Sequence, residues 1–148
     1  CEETLELVMM KRHPAGRHNA AVVPLKRLEI LVLGCQGAGK TLLVRRMKQL
    51  CKRRVPEDFL EISPTLGVEL DELEWEGATL QFREVGGSFA KVWPNYYVNC
   101  AAWAYVVDVA DYPSLAEAAY GFFAVARHPE MGAKPVLLIL NRFDDALP

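Results

Sequence analysis

The residues best suited to chemistry form one contiguous stretch, Gly34-Cys-Gln-Gly-Ala-Gly39-Lys40-Thr41. This stretch fits the pattern G-x-x-x-x-G-K-[ST], in which glycines let the backbone wrap around a phosphate and backbone N–H groups face the anion. Lys40 would bring a positive charge to the terminal phosphates, and Thr41 would offer its hydroxyl to Mg2+. The alternative, a glycine-rich turn with an incidental lysine, leaves the strand and helix patterns on either side unexplained.

A second candidate site, Asn141-Arg142-Phe143-Asp144, follows the last apolar run of the chain. The Asp144 carboxylate could accept hydrogen bonds from the N1 and N2 groups of guanine, and the Asn141 amide could serve the O6 and N7 edge. Alone, N-x-x-D is a common turn sequence. Downstream of a phosphate loop and three further strands, it predicts selection of guanine over adenine.

These motifs need a framework that brings the ends of several strands together. Apolar runs predict strands at 28–33, 68–75, 79–85, 102–109 and 135–140, with the middle two joined as a hairpin by Glu76-Gly77. Helical patterns cover 41–54, the aromatic-rich 92–100, and 114–127, which opens with the capping-box spacing of Ser114 and Glu117. The alternation predicts an α/β fold, a mostly parallel sheet with helices on both faces, whose ligands bind at the carboxyl ends of the strands.

Composition limits the remaining possibilities. The chain has 148 residues and a formal net charge of -2, which suits one domain with no global attraction to nucleic acid. No apolar run reaches the roughly 18 residues of a membrane span. The four cysteines lack metal-site spacing and predict reduced thiols in a cytoplasmic protein. We expect residues 1–24 to be a poorly ordered extension and residues 25–148 to form the domain.

Several further stretches, in the same order along the chain, match one known family. Pro64-Thr65-Leu66-Gly67 resembles its P-T-x-G, and Glu84-Val85-Gly86-Gly87 resembles its D-V-G-G. An aromatic stretch follows, from Trp93 to Tyr96-Tyr97-Val98-Asn99-Cys100. On these motifs the chain resembles the Ras superfamily of small GTPases, within it the Arf/Arl (ADP-ribosylation-factor-like) group, and most nearly the divergent Arl subtype sixteen.

The resemblance implies a small G-domain of the P-loop NTPase class that binds GTP or GDP with Mg2+. The residues that it assigns to the nucleotide are Gly34, Cys35, Gln36, Gly37, Ala38, Gly39, Lys40, Thr41, Leu42, Thr65, Gly87, Asn141, Arg142 and Asp144. To the metal it assigns Thr41, Thr65 and, through a water molecule, Glu84. It further implies switch regions that bind effector proteins, an exchange factor, a GTPase-activating protein and a role in membrane traffic. It implies no nucleic-acid partner, a cytoplasmic location, and at most an indirect association with membranes.

The chain departs from the family pattern at the residues that set turnover and partner choice. Ser88 stands where the family has the glutamine that orients the attacking water, so hydrolysis should be weak or absent. Gln36 is an alternative source of that group, and a solvent-facing role for it is the simpler interpretation. Glu84 replaces an aspartate, and Arg142 replaces the lysine of N-K-x-D. Two of three effector-binding aromatics are replaced, by Val68 and Arg83, while Tyr96 remains.

The family also has one more strand and a final helix after the N-K-x-D motif. We therefore expect a C-terminally truncated domain in which the strand at 135–140 forms a sheet edge with exposed apolar side chains. Such a fragment should be unstable alone.

Three hypotheses follow for the function. The first is a guanine-nucleotide switch with weak or absent hydrolysis, and the second is a pseudo-GTPase scaffold or interaction module without effective nucleotide turnover. The third, an ATP-using P-loop enzyme, leaves Asn141 and Asp144 without a role. Whether the chain is an enzyme stays open because of Ser88.

Overall fold

The computed structural model describes residues 26–51 and 65–146. The expected N-terminal extension lies outside the described residues, as do the end of the first predicted helix and Pro64 of the P-T-x-G motif.

One mixed sheet of five strands organises the described part of the chain. Its strands are β1 (Lys26–Leu33), β2 (Val68–Trp75), β3 (Ala78–Val85), β4 (Ala102–Asp108) and β5 (Val136–Asn141). They lie in the order β2-β3-β1-β4-β5, and every neighbouring pair is parallel except β2 and β3. The predicted mostly parallel sheet is confirmed, and the carboxyl ends of β1, β3, β4 and β5 meet at one edge of it.

The turn between β2 and β3 shows why the hairpin forms where the sequence predicts it. Glu76 and Gly77 both have positive φ, 47° and 79°. Two consecutive residues of this kind form a turn whose twist matches that of the flanking strands. Trp75 and Ala78 therefore pair directly on either side, and the register is fixed from there to Val68 and Val85.

Helices cover both faces of the sheet, with two corrections to the sequence-based predictions. The α-helices are α1 (Lys40–Cys51), α2 (Leu115–Ala126) and the short α3 (Phe143–Ala146). The aromatic-rich helix is a 3-10 helix that begins earlier than predicted, at Gly87, kinks at Phe89 and ends at Tyr96. The capping box is wrong: Ser114 ends a separate 3-10 turn that contains Pro113, and its side chain makes no capping hydrogen bond.

Two hydrophobic clusters hold these layers together. The cluster under α1 consists of Val32, Ala38, Val44, Leu73, Phe82 and Val106. On the opposite face, the 3-10 helix and α2 pack on a cluster that includes Trp93, Trp103 and Tyr105. A buried aromatic removes about 150–250 Å² from water, or about 4–6 kcal/mol at about 25 cal/mol per Å², so this second face anchors the strand ends firmly.

The outer edge of the sheet at β5 is poorly covered by the other described elements. Its side chains Val136, Leu137, Leu138 and Leu140 are each about half exposed. The predicted edge strand with exposed apolar side chains is therefore confirmed. No helix within the described ranges has the length and apolar character needed to cross a membrane.

Candidate functional site

The glycine-rich loop connects β1 to α1 at the carboxyl edge of the sheet, as its sequence predicts. Residues 34–39 form the loop, and the first helical hydrogen bond of α1 runs from Leu43 N to Gly39 O, at 3.0 Å. Gly39 has φ +88°, and a Cβ there would lie 2.3 Å from the Asn141 amide nitrogen. The tight turn into the helix therefore requires glycine at this position.

Lys40 is buried beneath this loop rather than extended into solvent. Its ammonium group donates to the carbonyl oxygens of Gly34, at 3.1 Å, and Cys35, at 2.8 Å. Burial lowers the pKa of Lys40, and the carboxylate of Glu84 opposes that shift. A cation held against the inside of a loop of backbone amides is suited to receiving an anion.

Three oxygen-bearing side chains from different elements meet beside Lys40. The Thr41 hydroxyl donates to the Glu84 carboxylate at 2.8 Å, and the Thr65 hydroxyl donates to the same oxygen at 3.2 Å. The two hydroxyl oxygens are 3.1 Å apart. Burial raises the pKa of Glu84, while the hydrogen bond from Thr41 and the charge of Lys40 lower it. Two hydroxyls and a carboxylate are hard oxygen ligands of the kind that Mg2+ binds, so this donor set fits the metal that the resemblance implies.

The stretch at Gly86-Gly87 packs directly on the phosphate loop. A Cβ at Gly87 would lie 2.2 Å from Gln36 N and 2.4 Å from the carbonyl carbon of Cys35. Gly86 N donates to Gly67 O at 2.9 Å, which ties this stretch to the segment that carries Thr65. The segment that carries Thr65 and the Gly86-Gly87 stretch correspond to the two switch regions that the resemblance implies, and they lie within contact distance of one another and of the loop. Ser88 is exposed immediately beyond them.

The predicted base-binding residues lie at the end of β5, next to the same loop. Asn141 donates from its side-chain nitrogen to Ala38 O at 2.8 Å, a contact between residues 103 positions apart that sequence reasoning did not foresee. Arg142 has φ 57° and its guanidinium lies 2.9 Å from the Asp108 carboxylate. Asp144 is exposed on α3, and its predicted contact with guanine remains a prediction.

The structure thus brings most of the predicted residues to one edge of the sheet. The loop residues, Lys40 and Thr41 lie at its centre, with Thr65, Glu84 and Gly87 on one side and Asn141 on the other. Leu42 points partly into solvent from the first turn of α1, with 38% of its surface exposed. Among the described residues, no three His, Cys, Asp or Glu side chains cluster together.

Arg83, which stands where the resemblance implies an effector-binding aromatic, forms an ion pair that sequence reasoning missed. Its guanidinium donates to both carboxylate oxygens of Glu29, at 2.8 and 2.9 Å, and lies 5.3 Å from the centre of the Tyr96 ring. Glu29 and Arg83 are on the neighbouring parallel strands β1 and β3. Only the register between β1 and β3 could have indicated the pair, and the sequence does not provide it.

Comparison with known proteins identifies the family. The model of the ADP-ribosylation factor family matches residues 18–147. Human ADP-ribosylation factor-like protein 16 is 30% identical over 117 residues, which cover 77% of this chain and 59% of that protein. ADP-ribosylation factor-like protein 3 of Chlamydomonas reinhardtii is 32% identical over 117 residues, covering 78% of this chain and 62% of its own length. The chain therefore spans less than two thirds of either relative.

Among solved structures, the Arl6 BBS3 small GTPase of Trypanosoma brucei with the bound nucleotide analogue GppNp superimposes with a TM-score of 0.67. The superposition covers 80% of this chain and 69% of that one, and at 23% identity it supports the fold. With the family model matched over almost the whole chain, the phosphate loop in place and the fold shared, the chain belongs to the ADP-ribosylation factor family of small GTPases.

Proposed function

We propose that this chain binds GTP and GDP with Mg2+ as a molecular switch, with weak or absent intrinsic hydrolysis, and that it recruits effector proteins through its switch segments. The observation that carries the proposal is the convergence of Lys40, Thr41, Thr65 and Gly87 around one loop. Thr65 and Gly87 belong to separate segments that touch each other through Gly86 and Gly67. A terminal phosphate bound at the loop would therefore act on both segments at once.

Weak hydrolysis follows from the side chain next to Gly87. Ser88 is exposed and carries a hydroxyl one carbon from the backbone, which is too short to hold a water in line with a phosphate bound at the loop. Positioning is most of what a small GTPase contributes to this reaction. The GTP-bound state would then persist until a partner supplies the missing group.

The surface available to effectors differs from that of typical family members. Leu66, Val68 and Leu70 are exposed on or just before β2, and Phe89 and Val92 are exposed on the neighbouring 3-10 helix. Arg83 pairs with Leu70 across β2 and β3, and its guanidinium lies 5.3 Å from the centre of the Tyr96 ring. Partners of this chain should therefore recognise an apolar surface around Arg83, which is paired with Glu29, rather than three aromatic rings.

Equilibrium binding of fluorescent GDP and GTP tests the proposal, with unlabelled GTP and ATP as competitors and with Mg2+ present or chelated. We expect displacement by GTP and not by ATP. Asp144→Asn should weaken binding roughly 10- to 100-fold, since it removes charge-assisted hydrogen bonds to the base. Asp145→Asn is the matched control, because Asp145 is the neighbouring exposed aspartate of α3.

A second candidate function is the scaffold without effective nucleotide binding. The pairing of Arg142 with Asp108 favours it, since the guanidinium is already engaged by a carboxylate of the protein. The same experiment separates the two functions. If the chain binds neither GDP nor GTP under any of these conditions, the switch function is excluded and the scaffold function remains.

A further inference from the structure

The three metal-side oxygens form a triangle whose dimensions match a magnesium coordination shell. The oxygens of Thr41 and Thr65 and one carboxylate oxygen of Glu84 are separated by 2.8, 3.1 and 3.2 Å. Mg2+ binds six oxygens at about 2.0–2.1 Å with near-ideal octahedral geometry. Two neighbouring ligands of such an octahedron are about 2.8–3.0 Å apart. The triangle is therefore close in size to one face of the octahedron, with a longest side of 3.2 Å.

We propose that Glu84 is a direct ligand of Mg2+ in this chain and not a residue that reaches the metal through a water molecule. The inference rests on the proposed function, because the metal accompanies the nucleotide. Its chemical basis is the methylene by which glutamate exceeds the aspartate of the family pattern. With its longer side chain, the Glu84 carboxylate lies in direct hydrogen-bond contact with both threonine hydroxyls.

The surroundings of the carboxylate are consistent with direct ligation. Glu84 is only 5% exposed, and a buried carboxylate is costly without a positive partner. Lys40, the buried cation beside it, donates its hydrogen bonds to the carbonyl oxygens of Gly34 and Cys35 instead. The threonine hydroxyls satisfy part of the acceptor capacity of Glu84. The charge of Lys40 acts on Glu84 without a direct hydrogen bond, whereas a cation on the shared face of the triangle would contact the carboxylate itself.

Direct ligation by Glu84 changes the number of water molecules bound to the metal. The two threonines and Glu84 take three of six positions, so phosphate oxygens and water share the other three. If Glu84 acted through water, that water would occupy a position of its own. The wild-type shell should therefore hold one water fewer than the shell of a variant whose carboxylate is too short to reach the metal.

The test replaces Mg2+ with Mn2+ in the intact protein bound to a non-hydrolysable GTP analogue and counts the metal-bound waters by electron spin-echo spectroscopy in deuterated solvent. We compare the wild type with Glu84→Asp and with the matched control Glu69→Asp. Glu69 is a neighbouring carboxylate, 3.5 Å from the Thr65 hydroxyl, outside the triangle. We expect one additional water in Glu84→Asp and none in Glu69→Asp. Equal counts in the wild type and Glu84→Asp would overturn the inference.

A second variant, Glu84→Gln, tests the inference independently in case Glu84→Asp does not fold. Glu84→Gln keeps the length and the acceptor oxygen for Thr41 but removes the charge. Removal of residues that only support a ligand costs about 10–100-fold in metal affinity, so loss of a direct ligand should weaken Mg2+ binding to the nucleotide complex by more than about 100-fold. Nucleotide binding in the presence of a chelator should change little. A loss of metal affinity below about tenfold would contradict direct ligation.

The two proposals fail in different ways. If the protein binds guanine nucleotide but the wild type and Glu84→Asp hold the same number of metal-bound waters, only the proposal of a direct ligand is overturned. No guanine nucleotide bound at any metal concentration overturns the switch, and the direct ligand with it.

Discussion

The ion pair between Arg83 and Glu29 should stabilise the sheet measurably, and its strength can be worked from the structure. Two charge-assisted hydrogen bonds of 2.8 and 2.9 Å join the side chains, which are 22% and 16% exposed. Fully exposed pairs contribute about 0.2–1 kcal/mol, and hydrogen bonds to charged groups about 1.5–3 kcal/mol. For a largely buried but still screened bidentate pair, we expect a coupling energy of about 1–2 kcal/mol.

The pair also predicts the pH dependence of the stability. The hydrogen bond from Arg83 holds the pKa of Glu29 below its ordinary value. A lowered folded-state pKa means that the unfolded chain binds the proton more tightly, so this contribution is present above the ordinary glutamate pKa. It is lost as the pH falls through the lowered pKa of the folded state. Glu29→Gln should therefore remove part of the acid sensitivity of folding.

A double-mutant cycle measures the coupling. Urea unfolding of the wild type, Glu29→Gln, Arg83→Met and the double variant gives the interaction free energy directly. The same series at acidic pH should show a smaller coupling. A coupling below about 0.3 kcal/mol at neutral pH, or acid sensitivity unchanged in Glu29→Gln, would refute the reasoning, because it would place the pair among surface contacts of no consequence.

Three further substitutions test other parts of the molecule. Tyr105→Phe should change the free energy of unfolding by less than about 1 kcal/mol, since the buried tyrosine hydroxyl faces the thiol of Cys35, which forms only weak hydrogen bonds; urea unfolding checks this, and a loss of more than about 2 kcal/mol would contradict it. Gly87→Ala should weaken the binding of GTP relative to that of GDP by about tenfold or more, because a Cβ 2.2 Å from Gln36 N would push this segment off the loop. Competition binding measures the ratio of the two affinities, and an unchanged ratio would count against the switch. Ser88→Gln should speed single-turnover GTP hydrolysis by about 10- to 100-fold over wild type, whereas Ser88→Ala should not; equal rates in the two variants would show that this position does not limit turnover.

The parts of the fold that depend on local sequence could be predicted, and the long-range contacts could not. The phosphate loop and the Glu76-Gly77 hairpin follow from glycine spacing, because each is decided within a few residues. The pair of Glu29 and Arg83 depends on the register of two strands far apart in the chain. The contact of Asn141 with Ala38 depends on how the last strand is placed beside the loop. Neither of these two contacts produces a periodic pattern in the sequence from which it could be predicted.

The capping-box prediction was wrong for a local reason that the sequence does contain. Pro113 favours a tight 3-10 turn over Tyr112–Ser114, and this turn leads directly into α2. Ser114 then has φ -88° and ψ -6°, close to helical values, whereas a capping serine has an extended backbone. The spacing of Ser114 and Glu117 was right, but the proline one residue earlier changed the backbone on which that spacing depends.

The half-exposed β5 has a consequence for the behaviour of the protein in concentrated solution. The run Val136–Asn141 has no charge and no proline, which is the composition of segments that stack into intermolecular cross-β assemblies. Pro135 precedes it and Arg142 follows it. Residues of these two types at the ends of an apolar strand act as gatekeepers, since one cannot donate a backbone hydrogen bond and the other repels its own copies. Variants that remove Pro135 or Arg142 should therefore form fibrillar aggregates at lower protein concentrations.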